Sequence, residues 1–137
     1  ELTELSGQEI RMPKTPISTA DAPSAIGTYS QAIKHGETVY ISGQIPLIPA
    51  TMEIISEDID DQITQVFSNL ASICKAAGGS LNDVVKFTVY LTNLNNFAAV
   101  NTVMEGVLES PYPARAAIEV SALPKGALVE VDAIMAL

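Results

Sequence analysis

Two segments of this 137-residue chain carry the apolar spacing of a helix lying on a core, and the remaining patterned stretches alternate like strands. From Ile59 the apolar side chains fall at Ile59, Ile63, Val66, Phe67, Leu70, Ile73, Cys74 and Ala77, one stripe of an amphipathic helix. Ser56 or Asp58 can cap its start, Asp60 and Asp61 suit the positive first turn, and Gly78-Gly79 supplies a left-handed stop. A second helix is expected from about 96 to 109, with Phe97, Val100, Met104, Val107 and Leu108 inward and Asn95 or Asn96 as cap. Pro111 and Pro113 forbid its continuation.

Strand patterns occupy roughly 17–18, 29–34, 38–44, 84–91, 114–120 and 127–137, with a hairpin turn at His35-Gly36. Two helices cover only one face of such a sheet. The expected architecture is therefore a single α+β domain, a mixed six-stranded sheet with two helices packed on one face. The covered face takes Val39, Ile41, Val85, Phe87, Val89, Leu91, Ile118, Val120, Val129 and Val131. The opposite face carries Tyr40, Ser42, Gln44, Lys86, Thr88, Tyr90, Arg115, Glu119, Leu128, Glu130, Asp132 and Ile134. That mixture is too apolar for a freely solvated surface and too polar for a core, which fits an oligomer interface.

At this length one domain buries about two thirds of its unfolded surface, so a core forms without staples. The single cysteine, Cys74, has no intrachain disulfide partner and reads as a core thiol. Lone His35 reads as a turn residue, and without clustered Cys or His no metal site is expected. No apolar stretch is long enough to span a bilayer or act as a signal sequence, so no membrane partner is expected and the cytoplasm is the default location. Sixteen acids against seven bases give a net charge of -9, which repels a phosphate backbone; nucleic acid is not an expected partner. Residues 1–11 are polar and without clear periodicity, and are expected to be an extension before a domain at 12–137.

Charge within strands singles out the candidate site. Arg115 and Glu119 alternate with Ala116, Ile118 and Val120, and Glu130 and Asp132 alternate with Val129, Val131, Ala133 and Met135. If the short link 121–126 closes an antiparallel hairpin, Arg115 and Glu130 lie near each other on one face. An arginine fork matches a carboxylate, and a nearby glutamate orients or deprotonates water, so the pair suggests chemistry on a small carboxylic acid. From spacing alone an ordinary cross-strand salt bridge is the simpler reading.

Pro113-Ala114-Arg115, Leu123-Pro124-Lys125, the Glu130 strand, the stretch from Ala22 to Ala32 and the stretch from Ile41 to Pro46 agree in order and spacing with one known family. From about Lys14 to its C-terminus the chain resembles the RidA (YjgF/YER/UK) family of enamine and imine deaminases. Thr28 stands where that family usually has proline. Ala117 stands where many members carry a cysteine, which removes a thiol from that position.

The resemblance implies a chorismate-mutase-like RidA fold assembled as a homotrimer, sheets inside and helices outside, with sites in the clefts between subunits. The implied activity is 2-iminobutanoate/2-iminopropanoate deamination. Reactive imines and enamines released by amino-acid dehydratases are hydrolysed to 2-keto acids and ammonia without a cofactor. On this resemblance Arg115 holds the substrate carboxylate and Glu130 positions or activates the attacking water. Tyr29 closes the pocket, Ser42 and Gly43 line it, and Asn101 occupies the family's asparagine position, where a plain helix-face role is the alternative. A non-catalytic keto-acid-binding or regulatory protein is the competing class; it needs Arg115 but not a water-activating acid. A translation-inhibiting or ribonuclease role would need a basic stripe or stacking platform that this sequence lacks.

Overall fold

The computed structural model describes residues 13–137, and the expected extension at 1–11 lies outside them. In chain order the elements are β1 (Thr15–Ile17), β2 (Ala32–His35), β3 (Thr38–Gln44), α1 (Ile59–Ala76), β4 (Val84–Leu91), α2 (Phe97–Val107), β5 (Ala114–Glu119) and β6 (Val129–Ala136). They form one six-stranded sheet in the order β1-β2-β3-β6-β4-β5, mixed because β4 and β5 run parallel while the other pairs are antiparallel. Both helices pack on one face, as expected.

Asp58 caps α1, its carboxylate accepting from the Asp61 N–H at 3.0 Å, and Gly78 leaves the helix at φ 98°. The inward stripe of α1 meets the sheet where Phe67 and Phe87 contact edge to face, centroids 5.4 Å apart. Cys74 is buried in this layer, and burial pushes its thiol up to about 11, so it stays an unreactive core group. Buried Gln62 fastens the layer to its loops by donating to the Ser56 carbonyl at 2.8 Å and accepting from the Leu128 N–H at 2.9 Å.

The structure corrects the expected C-terminal hairpin. Helix α2 makes β4-α2-β5 a crossover unit, so β5 lies parallel beside β4 at the sheet edge, and β6 enters on the far side of β4. Link 121–126 crosses β4. The face assignment of β5 reverses with it: Phe87 pairs with Arg115, Val89 with Ala117 and Leu91 with Glu119, which sets Arg115 and Glu119 on the helix side. Ile118, expected under the helices, is 46 % exposed on the open face.

Alternation also breaks at two register shifts. One between Val84 and Lys86 turns Val85 outward, 49 % exposed, and the other between Ile41 and Gln44 carries Gln44 into the covered layer opposite Val131. Smaller differences follow from local chemistry. The two-residue turn is Gly36-Glu37, because the positive φ of 63° falls at Gly36 and His35 still pairs with Thr38. Asn93, rather than Asn95 or Asn96, supplies the capping side chain, at a 3₁₀ turn ahead of α2. Val107 faces outward at the last position of α2.

Candidate functional site

The β3 register shift builds the first half of the site. It leaves Gly43 directly over Glu130, so closely that an added Cβ would collide with the carboxylate and lie 2.9 Å from its carbon. Glu130 stands half-buried on the open face of β6. Burial, and secondarily the neighbouring Asp132 charge, holds its proton to higher pH than an exposed glutamate. Asp132 accepts from the Tyr90 hydroxyl at 3.0 Å, which ties the next acid of the strand to β4. A cavity of about 390 Å³ opens beside Glu130, lined also by Tyr29, Gly43 and Gln44 and by the apolar Ile26, Ile45, Leu47 and Met52.

Tyr29 is carried by the loop before β2, where its hydroxyl accepts from the Ile26 N–H at 3.4 Å. That loop is held from below by Gln31, whose amide donates to Thr19 and Pro23 carbonyls at 3.0 and 2.8 Å and accepts from the Thr19 N–H at 2.7 Å. Buried Gln31 was visible in the sequence only as part of the Tyr29-Ser30-Gln31-Ala32 run; its role as anchor needs the fold. Ser42 does not reach the Glu130 cavity. Its hydroxyl donates to the Ser30 carbonyl at 2.6 Å, and it lines a neighbouring open cleft with Tyr29 and Tyr40.

The second half lies at the β5 edge of the sheet, whereas the first is built on the central strands β3 and β6. Arg115 donates through Nη1 to Asn101 Oδ1 at 2.5 Å, and its guanidinium sits 4.6 Å from the centroid of the Phe97 ring. Met104 Sδ lies 3.6 Å from the same nitrogen. Helix α2 thus fixes the arginine head from three positions, Phe97, Asn101 and Met104, spaced by four and three residues on one face. Tyr112 and Pro113 join these residues around a cleft of about 310 Å³. Phe97 and Met104 read as core in the sequence and Tyr112 carried no signal there; only the placement of Arg115 under α2 shows what they do.

The structure therefore brings together Tyr29, Gly43 and Glu130 in one group and Asn101 and Arg115 in another, and does not bring the groups together. Strand β4 lies between β5 and β6, so the two backbones are about 10 Å apart, and the two side chains leave opposite faces. The expected intrachain approach of Arg115 to Glu130 does not occur. Among the described residues no cluster of three His, Cys, Asp or Glu is placed to hold a metal ion, and no helix is long and apolar enough to cross a membrane.

Replacement of Gly43 by alanine tests the contact that shapes the first half. The obstructed carboxylate is at the end of a flexible side chain, so it swings aside while the strand survives. We expect Tm to stay within about 5 °C of the parent and turnover of the imines that the sequence resemblance implies as substrates to fall at least about tenfold, read by thermal unfolding and turnover on one sample. A fully active variant would remove Glu130 from the centre of the site.

A small α+β domain with the Glu130 cavity on the open face of its sheet and the Arg115 cleft under α2 at the β5 edge presents a candidate site in two separate parts. The chain belongs to the family described as Endoribonuclease L-PSP, the YjgF/RidA family, whose sequence profile matches residues 19–137. It is 52 % identical over 122 residues to the RutC family protein y4sK of Sinorhizobium fredii, covering 89 % of this chain and 97 % of that one. It is 48 % identical over 118 residues to the 2-iminobutanoate/2-iminopropanoate deaminase of Capra hircus, covering 86 % of each. Among solved structures, RidA from the Antarctic bacterium Psychrobacter sp. PAMC 21119 superposes with a TM-score of 0.87 at 56 % identity, covering 90 % of this chain and 99 % of that one.

Proposed function

We propose that this chain is a cofactor-independent 2-iminobutanoate/2-iminopropanoate deaminase that acts as a homotrimer, each site formed where the Arg115 edge of one copy meets the Glu130 cavity of the next. The observation that carries this reading is the division of the site. Arg115 and Asn101 line one cleft, where the acid present is Glu105, exposed on α2, and Glu130, Gly43 and Tyr29 line another, where the cation present is Lys125, already bonded to the Met52 carbonyl; neither cavity alone sets the Arg115 fork opposite the half-buried Glu130. The open face is suited to association, since Tyr40, Val85 and Ile118 are each about half exposed on it, between 46 and 51 %. The deaminase names borne by relatives support the same reaction class.

In that reaction Arg115 binds the substrate carboxylate through its fork and leaves the iminium carbon facing Glu130. Glu130 takes a proton from water as the water oxygen bonds to that carbon. Glu130 then returns that proton to the carbinolamine nitrogen, the C–N bond breaks to release ammonia, and the hydroxyl proton passes to Glu130 as the carbonyl forms and from there to the ammonia, giving a 2-keto acid and ammonium. The iminium is itself the electrophile, so the protein supplies position, charge and a base. A net charge of -9 speaks against phosphodiester cleavage as the activity.

Imines generated in situ from threonine and serine by a pyridoxal-dependent dehydratase supply the test, with 2-keto acid appearance followed with and without this protein. Acceleration of at least about tenfold is expected, falling on acidification with an apparent pKa above that of an exposed glutamate, because the protonated carboxyl cannot accept from water. Keto-acid binding without acceleration would leave a binding or regulatory protein.

A further inference from the structure

We propose that Lys125 is a positioning residue whose bond to the Met52 turn sets the size of the apolar end of the Glu130 cavity, and with it the side chain of the 2-imino acid that fits; this rests on the deaminase reading. Lys125 and Met52 are 73 residues apart in sequence, yet Lys125 Nζ donates to the Met52 carbonyl at 2.8 Å. Both residues line that cavity. They are also the two non-glycine residues among those described with positive φ, 58° at Lys125 and 61° at Met52. Left-handed backbone is unfavourable for residues with a Cβ, and it persists where surrounding structure enforces it. Here both instances are ends of one hydrogen bond across one cavity.

The Met52 segment explains why a single bond matters. Its base is fixed: buried Asn69 donates to the Leu47 carbonyl at 3.0 Å, and Leu47 bridges Ile54. Its tip turns on bonds of its own, from the Met52 N–H to the Ile48 carbonyl at 2.8 Å and from the Ile48 N–H to the Glu53 carbonyl at 2.9 Å. Among the described residues, Lys125 supplies the one hydrogen bond that reaches the tip, 48–53, from elsewhere in the chain. Because Met52 lines the cavity, a shift of the tip changes the room left for substrate carbons.

Lys125→Met keeps the aliphatic stem and removes the donor, and Lys125→Arg restores a donor. Hydrogen exchange reads the strap without any reaction: in Lys125→Met the amides of Ile48 and Met52 should exchange about threefold to tenfold faster, with Lys125→Arg returning most of the protection. The ratio of kcat/KM for the imine of leucine to that for the imine of alanine should rise by about threefold in Lys125→Met and return toward the parent in Lys125→Arg. Unchanged exchange overturns the strap whatever the kinetics. Faster exchange with an unaltered ratio overturns the specificity assignment. An inactive parent protein removes the deaminase reading, and the exchange result then decides the strap alone.

Discussion

Arg115→Ala should cost about a hundredfold or more in kcat/KM for imine hydrolysis, the loss expected when a desolvated carboxylate is left without its cation. Arg115→Lys should recover little. An ammonium carries the charge but lacks the planar fork, and it cannot at once hold the Asn101 amide oxygen, lie on the Phe97 ring and grip the substrate carboxylate. The variant is expected to fold, because Arg115 is exposed on an edge strand and contributes no core packing. Initial rates with imines generated in situ decide the matter; an alanine variant with near-parental kcat/KM would end the assignment of Arg115 to the carboxylate.

Mixing two inactive variants should restore activity. If each site takes Arg115 from one copy and Glu130 from the next around a three-fold axis, a trimer containing both Arg115→Ala and Glu130→Gln chains holds one intact site. Random exchange at equal concentration then gives about a quarter of the parental activity. Subunits would be mixed under mild denaturation, returned to native buffer, and assayed beside each variant treated alone, with mass in solution measured on the same samples. An intrachain site predicts no recovery. Its absence in trimers shown by mass to be mixed would overturn the shared site.

The sequence was most informative where spacing alone decides structure. The stripes from Ile59 to Ala77 and from Phe97 to Leu108 located both helices, and alternation located the strands of the core. It misled where a decision depended on which strands are neighbours. Nothing within 114–131 shows that β4 will slip between β5 and β6, because that follows from α2 carrying the chain over the sheet to a parallel partner. The side of the sheet from which Arg115 projects was misread for the same reason. Residues acting at second hand, such as Gln31 under Tyr29 and Phe97 beside Arg115, look like ordinary polar or apolar positions until their partners are placed. The candidate site residues could be named through their agreement with several spaced motifs, whereas their division into two groups is a property of topology.

The extra residue in β3 has a meaning beyond register. A perfectly paired β3-β6 ladder would keep every amide in step, and it would also present a flat strip of backbone to any ligand. By spending one residue on a bulge, the sheet sends Gln44 inward and leaves Gly43 bare above an acid, so the place where the ladder is least regular is the place where backbone and small molecule can meet. Selection for a tidier sheet would work against reactivity, and variants with raised melting points at this strand are those in which turnover should first be suspected of decline.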